Sequence, residues 1–217
     1  MSQELLDLMR KSIVDGDADA SAALAAQSLA TGLAPLDAIE KGFVPGLEQV
    51  GDSFSCGDLY LPDMMLAARA MRAAVDVLEP AMKASGAQRQ VVGRVVIGTI
   101  QGDIHEIGKN LVAMMLSTAG FEVHDLGVDV APERFAEKAK EVGADLVGVS
   151  ALLTTTMTGQ RAVIDQLAAA GLRPGVKVIV GGAPVTHGWA EEIGADGYSE
   201  DGVSAVALAR RLIGIES

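Results

Sequence analysis

Two hydrophobic rhythms run along the chain. Up to Gly86 the apolar positions recur at helical spacing, beginning with Leu5, Leu6, Leu8, Met9 and Ile13. A second helical stretch runs from about Asp19 to Ala30 and stops at Thr31-Gly32. Pro35 and Pro62 mark two more helix starts, because the fixed φ of proline suits a first turn and its missing N–H costs nothing there. The pattern therefore predicts four helices, the last from Leu61 to Ala84, carrying Met64, Met65, Met71 and Met82. A methionine stripe at this spacing also reads as plain core, since the thioether fills irregular gaps. KASGAQRQ, residues 83–90, is small and polar and reads as a linker.

From Val91 onward short apolar runs alternate with amphipathic segments. GRVVIGT, FEVHDL, ADLVGVS, VKVIVGG and a brief ADGY read as five strands, with helices near 106–119, 132–142, 156–170, 185–193 and 202–212. Strands this apolar, separated by helices, predict a parallel sheet covered on both faces by right-handed crossovers. The expected architecture is α/β: a four-helix bundle over residues 1–86, then a flavodoxin-like (Rossmann-like), doubly wound five-stranded sheet over 91–217, in the order 2-1-3-4-5.

Composition narrows the class. An apolar content of 49% with 21% charged residues is that of an ordinary globular protein able to bury a core. The net charge of −12 divides into −7 up to Gly86 and −5 beyond, so neither part carries the basic footprint of a nucleic-acid binder. The start, MSQELLDLMRKS, lacks the ~7–15-residue apolar core of a signal peptide, and no run approaches the ~20 apolar residues of a membrane span. With Cys56 as the single cysteine, these features place the protein in a reducing cytoplasm, away from membranes.

In the predicted strand order, ligands bind outside the carboxyl ends of strands 1 and 3. After strand 1 comes Gly102-Asp103-Ile104-His105-Glu106-Ile107-Gly108, after strand 3 Ser150-Ala151-Leu152-Leu153-Thr154-Thr155-Thr156, and after strand 4 Gly181-Gly182-Ala183. All three ends fall on one rim. Each has a plainer reading: a solvated histidine, a glycine turn, threonines that cap a helix. Their coincidence on one rim is what points to a ligand.

The loop after strand 1 lacks both glycine-rich phosphate motifs and presents Asp103 and Glu106, which repel an anion. A phosphoacceptor receiver would want an aspartate where Ser150 ends strand 3. A zinc site built from protein alone needs three or four ligands, and His124 and His187 lie elsewhere in the pattern. What remains is one imidazole serving a metal that brings its other ligands, as a macrocycle does, with Asp103 orienting the ring.

At this point the residues match a known family. Asp103-x-His105-x-x-Gly108, Ser150-x-Leu152 and Gly181-Gly182 resemble the three-part signature of cobalamin-binding domains. The helical half, with GDLYLPDMMLAARAM, resembles the cap of cobalamin-dependent methionine synthase and of the corrinoid proteins serving methylamine methyltransferases; VSALLTTTMTGQ and VGGAPVTHGWAEEIGADGY are similar to the methylamine group. The resemblance implies that His105 is the lower axial ligand of cobalt, displacing the cofactor's own base. Asp103 would be its hydrogen-bonding partner, with Thr156 standing where methionine synthase has a relay serine. Gly102, Ile104, Ile107 and Gly108 would line the ligand loop. Ser150, Leu152 and Thr154 would line the slot for the displaced tail, Gly181, Gly182 and Ala183 would let the backbone pass close to it, and Tyr198 would edge it. Tyr60, Met64 and Met65 would shelter the upper face, with KASGAQRQ as a hinge.

The function so implied is that of a methyl carrier, a corrinoid subunit with little catalysis of its own. A substrate-specific methyltransferase would load Co(I) from a methylamine, betaine, methanol or methoxy-aromatic donor. A second, methyl-acceptor methyltransferase would unload it to tetrahydrofolate or coenzyme M, and a reductive activation protein would keep the cobalt usable. The rivals are a radical-mutase module, which comes with a large barrel absent here; a cobalamin sensor or regulatory module, which would carry a DNA-binding helix-turn-helix; and a cofactor-free interaction domain.

Overall fold

The computed structural model describes residues 3–84 and 91–215, and the chain divides into two compact units, Met1–Gln90 and Val91–Ser217. The first is helical: α1 (Gln3–Val14), α2 (Ala18–Ala30), a continuous helical stretch made of α3 (Pro35–Asp37), a π-turn (Ala38–Phe43) and α4 (Val44–Ser55), and finally α5 (Leu61–Ala84). Asp17 caps α2 by accepting from the Ala20 N–H at 2.9 Å. The π-turn has an evident cause. Pro45 has no N–H to return to the helical ladder, and the Val44 N–H reaches back to the Ile39 carbonyl, so the chain widens by one residue there. Gly42 and Gly46 let this widened stretch press against α1: a Cβ would fall 2.6 Å from Met9 Sδ at the first and 2.5 Å from the Arg10 carbonyl at the second. Met64, Met71 and Met82 are buried, whereas Met65 is exposed.

In the second unit the strands are β1 (Arg94–Thr99), β2 (Glu122–Asp125), β3 (Leu146–Ser150), β4 (Lys177–Gly181) and β5 (Gly197–Tyr198). They form one parallel sheet in the order β2-β1-β3-β4-β5, as the sequence pattern predicts. The crossovers are α6 (Ile107–Thr118), α7 (Pro132–Val142), α8 (Thr154–Met157) with α9 (Gly159–Ala169), α10 (His187–Ile193) and α11 (Gly202–Leu212). The single helix expected at 156–170 is thus two, parted at Thr158. Gly159 then sits so close to β1 that a Cβ would meet Ile100 Cγ1 at 2.6 Å.

Alternate residues of the buried strands feed two cores. Val96, Val147, Val149, Val178 and Val180 pack with Phe135, Val163 and Leu167 on one face. Val95, Leu146, Leu116, Phe121 and Ala209 pack on the other. At the end of the sheet the register aligns Thr99 with Ser150 and Ser150 with Gly181, so three strands deliver their exit loops from one row. Of the segment read as a linker, Lys83 and Ala84 close α5 and residues 85–90 lie outside the described residues.

Candidate functional site

Past Thr99 the chain turns through Gly102 at φ +83 and buries Asp103 completely. An isolated carboxylate there would be costly, because burial penalises charge. Five donors offset that penalty. Asp103 Oδ1 accepts from the His105 main-chain N–H at 3.1 Å and from His105 Nδ1 at 2.7 Å. Its Oδ2 accepts from the Leu152 and Leu153 N–H groups at 2.7 and 3.3 Å and from the Thr156 hydroxyl at 2.8 Å. Burial alone pushes the carboxyl up; the His105 imidazole, the Leu152 and His105 N–H groups and the Thr156 hydroxyl outweigh it and hold Asp103 well below the usual carboxylate range.

His105 is the exposed end of this arrangement, with 48% of its side chain accessible. Its carbonyl accepts from the buried Thr99 hydroxyl at 2.9 Å, which pins the loop to the end of β1. An ionised Asp103 can only accept, so the contact calls for a proton on Nδ1 and leaves Nε2 as the ring nitrogen that could serve a ligand. The segments that hold the ring also carry exposed Ile104, Ile107, Leu152 and Leu153, an apolar grouping unusual beside a charged loop. Among the described residues, no three His, Cys, Asp or Glu side chains converge to hold a metal. The loop offers one nitrogen and an apolar surround.

The other expected site residues divide by location. Ser150 ends β3 half-buried, Thr154 opens α8 exposed, and Gly108 faces open space, with nothing within 4 Å of the Cβ it lacks. Gly182 answers first to the fold: its φ is +125, and a Cβ would lie 1.8 Å from the Ala151 carbonyl oxygen, so the β3 and β4 exit loops cross only because this residue is glycine. Gly181 is tight as well, at 2.9 Å from the Ser199 carbonyl, and Ala183 is exposed on the following turn. Tyr198 lies half-buried in β5, its phenol pushed up by burial and then by the carboxylates of Glu200 and Asp201. On the α6 and α11 side of the sheet, Ile97, Gly148, Ile179, Val112, Ala205 and Ala209 help to line an apolar cavity of about 30 Å³.

Of the three residues expected to shelter a bound ligand, Tyr60 and Met65 are 70% and 48% exposed on the helical unit. Met64 is fully buried and presents no surface to a ligand, which corrects that expectation: its side chain is core, as its helical spacing also allowed.

Several contributors escape a reading of the sequence. Gln160 is fully buried; its amide donates to the Val149 and Gly181 carbonyls at 2.9 and 3.2 Å and its oxygen accepts from Trp189 Nε1 at 3.0 Å, locking the β3 and β4 exits together. Lys109, also buried, reaches Asp125 at 2.5 Å and ties α6 to the end of β2. Asp129 bonds to the loop ahead of Asp103. Lys109 and Gln160 lie within the stretches GDIHEIGKN and VSALLTTTMTGQ, but neither spacing nor residue type gives away their roles, because each acts through a partner distant in sequence.

The fold and rim are those of a ligand-binding module of the doubly wound α/β class, joined to a helical unit. A family profile described as a B12 binding domain matches residues 93–207, and a second of the same description matches residues 5–79. The chain belongs to the B12-binding family of corrinoid proteins. It is 49% identical to trimethylamine corrinoid protein 2 of Methanosarcina acetivorans over 94% of each chain. It is 49% identical to dimethylamine corrinoid protein 2 of the same organism over 97% of each. Among solved structures it resembles the methanol:cobalamin methyltransferase complex MtaBC from Methanosarcina barkeri with a TM-score of 0.86 and 28% identity, covering 100% of this chain and 82% of that one.

Proposed function

We propose that the protein is a corrinoid methyl carrier whose cobalt ligand is His105, oriented by Asp103 and Thr156. The observation that carries this reading is the 2.7 Å contact between a fully buried carboxylate and one nitrogen of a half-exposed imidazole. When bound, the corrinoid supplies a cobalt centre that takes up a methyl group and gives it away. The protein's part is to hold and tune. Asp103 stays anionic because its donors outweigh its burial, so it accepts from Nδ1 and fixes the orientation of the ring.

The remaining residues suit a large, flat, partly apolar ligand. Ile104, Ile107, Leu152 and Leu153 offer apolar contact. Gly108 leaves the approach open, and the small residues Gly148, Ala205 and Ala209 beside the apolar cavity suit entry of a displaced base. Ser150, Thr154 and Tyr198 remain the residues assigned to the tail. Equal identity to trimethylamine and dimethylamine corrinoid proteins supports a methylamine as donor and leaves the choice among amines to the loading enzyme. The partners in this reading are a substrate-specific methyltransferase, a methyl-acceptor methyltransferase and a reductive activation protein. The setting is the cytoplasm, where exposed Cys56 stays reduced. No described helix is long and apolar enough to cross a membrane.

The test is reconstitution of the full chain with hydroxocobalamin, followed by methylation from an amine in the presence of an amine methyltransferase. A retained red chromophore that turns over with amine supports the carrier. A colourless protein after gel filtration overturns it.

A further inference from the structure

The loop after β2 has no role in the reading above, yet it backs the histidine segment along its length. Thr99 N–H donates to the Gly127 carbonyl at 2.9 Å, and Val130 N–H donates to the Thr99 carbonyl at 3.0 Å. One step further, Gly102 N–H donates to Asp129 Oδ1 at 2.7 Å, while Asp129 N–H donates to the Asp103 carbonyl at 3.0 Å. The stretch of backbone from the Gly102 nitrogen to the Asp103 carbonyl is therefore gripped at both ends by one residue.

Asp129 does this from an unfavourable conformation. Its φ is +55, and it is the one non-glycine with positive φ among the described residues. Left-handed backbone in an L-residue persists where its surroundings over-determine it, and such residues cluster at functional sites. Glycine would occupy this turn without steric cost, as Gly127 does two residues earlier at φ +82. An aspartate in its place gives up that ease and gains an acceptor for the Gly102 N–H. The gain lies where it bears on chemistry, because the Asp103 carboxylate hangs from the gripped backbone and the ring of His105 hangs from that carboxylate.

We propose that Asp129 is a positioning residue for the ligand loop: its side chain clamps the Gly102–Asp103 backbone so that Asp103 presents His105 in one orientation. The inference rests on the reading of His105 as the cobalt ligand. It acts through Asp103 and does not require Asp129 to touch the cofactor.

The experiment uses the full chain, with histidine labelled by the heavier stable nitrogen isotope and loaded with cob(II)alamin, and reads electron-spin resonance. Coordination by a labelled imidazole splits each cobalt line into a doublet, whereas the cofactor's own unlabelled base gives a triplet. His105→Gly should abolish the doublet. If the doublet survives, the ligand assignment itself fails, whatever Asp129 does. Asp129→Asn keeps an acceptor oxygen and tolerates the left-handed turn, and should keep the wild-type doublet. Asp129→Gly relieves the backbone and so folds, but loses the clamp. It should lower the imidazole-coordinated fraction roughly fivefold and, in the cofactor-free chain, speed amide exchange at Gly102 roughly tenfold. A wild-type doublet in Asp129→Gly overturns the proposal, as does an Asn variant as weak as the Gly variant.

Discussion

The Thr156 hydroxyl donates to Asp103 Oδ2 at 2.8 Å, its one proton shared with the Leu153 carbonyl of its own turn at 3.0 Å. The first turn of α8 is thereby fastened to a carboxylate that belongs to the β1 exit loop. Thr156→Ser keeps this hydroxyl and should leave stability within about 0.5 kcal/mol of wild type. Thr156→Val removes a hydrogen bond to a buried charged group and should cost about 1.5–3 kcal/mol in urea unfolding. Equal stability of the two variants would mean the hydroxyl contributes nothing to holding Asp103.

Asp103 also sets an acid limit. Its carboxyl ionises more readily folded than unfolded, where 3.8 is the ordinary value. The unfolded chain therefore binds this proton first as pH falls, and the contribution to stability is full above about pH 4 and lost progressively below it. In Asp103→Asn the stability curve should fall less steeply with acid below pH 4 than in wild type, although the variant is weaker at neutral pH. Parallel slopes in unfolding series across that range would remove Asp103 from the acid response.

Two glycines of the motif should separate. Gly182→Ala places a Cβ 1.8 Å from the Ala151 oxygen at φ +125, so the variant should lose more than ~3 kcal/mol or fail to fold, with or without cofactor. Gly108→Ala meets no atom within 4 Å in a helical first turn, and the free chain should be as stable or up to ~1 kcal/mol more so. The added methyl projects into the open approach, however, and cobalamin retention should drop. Thermal unfolding of both free chains, with spectroscopic titration of the second, distinguishes the roles.

Ala205→Val adds bulk beside the apolar cavity of about 30 Å³. Filling such a space should raise the stability of the cofactor-free chain by up to ~1 kcal/mol. If the cavity marks where the displaced base enters, the same change should weaken cobalamin binding at least tenfold, about 1.4 kcal/mol. Unchanged affinity, measured by equilibrium dialysis, would put the base elsewhere.

How much of this was legible beforehand depended on range. The strands were readable because the parallel sheet is buried on both faces, which forces unbroken apolar runs such as Val95-Val96-Ile97. The strand order and rim followed from the count and spacing of those runs, and the family match of the chain accords with the signature built on Asp103, His105 and Gly108. The break at Thr158 carries a local cue, the Thr-Gly pair that also ends the helix at Thr31, but the seating of Gly159 on Ile100 that goes with it is a contact across the fold. Met64 and Met65 are adjacent in sequence and opposite in exposure, a difference that composition does not encode. Gln160 and Asp129 stayed invisible because each is defined by partners more than ten residues away.

The donors converging on Asp103 come from segments some fifty residues apart, 105 on one side and 152 to 156 on the other. A nascent chain that has emerged only as far as α6 owns the whole histidine motif and still has a carboxylate short of its partners. The nonapeptide GDIHEIGKN grafted onto another scaffold would inherit the same deficit. The full donor set of Asp103 therefore exists only once β3 and the first turn of α8 have docked beside β1, so the motif is a property of the folded sheet and not of the peptide.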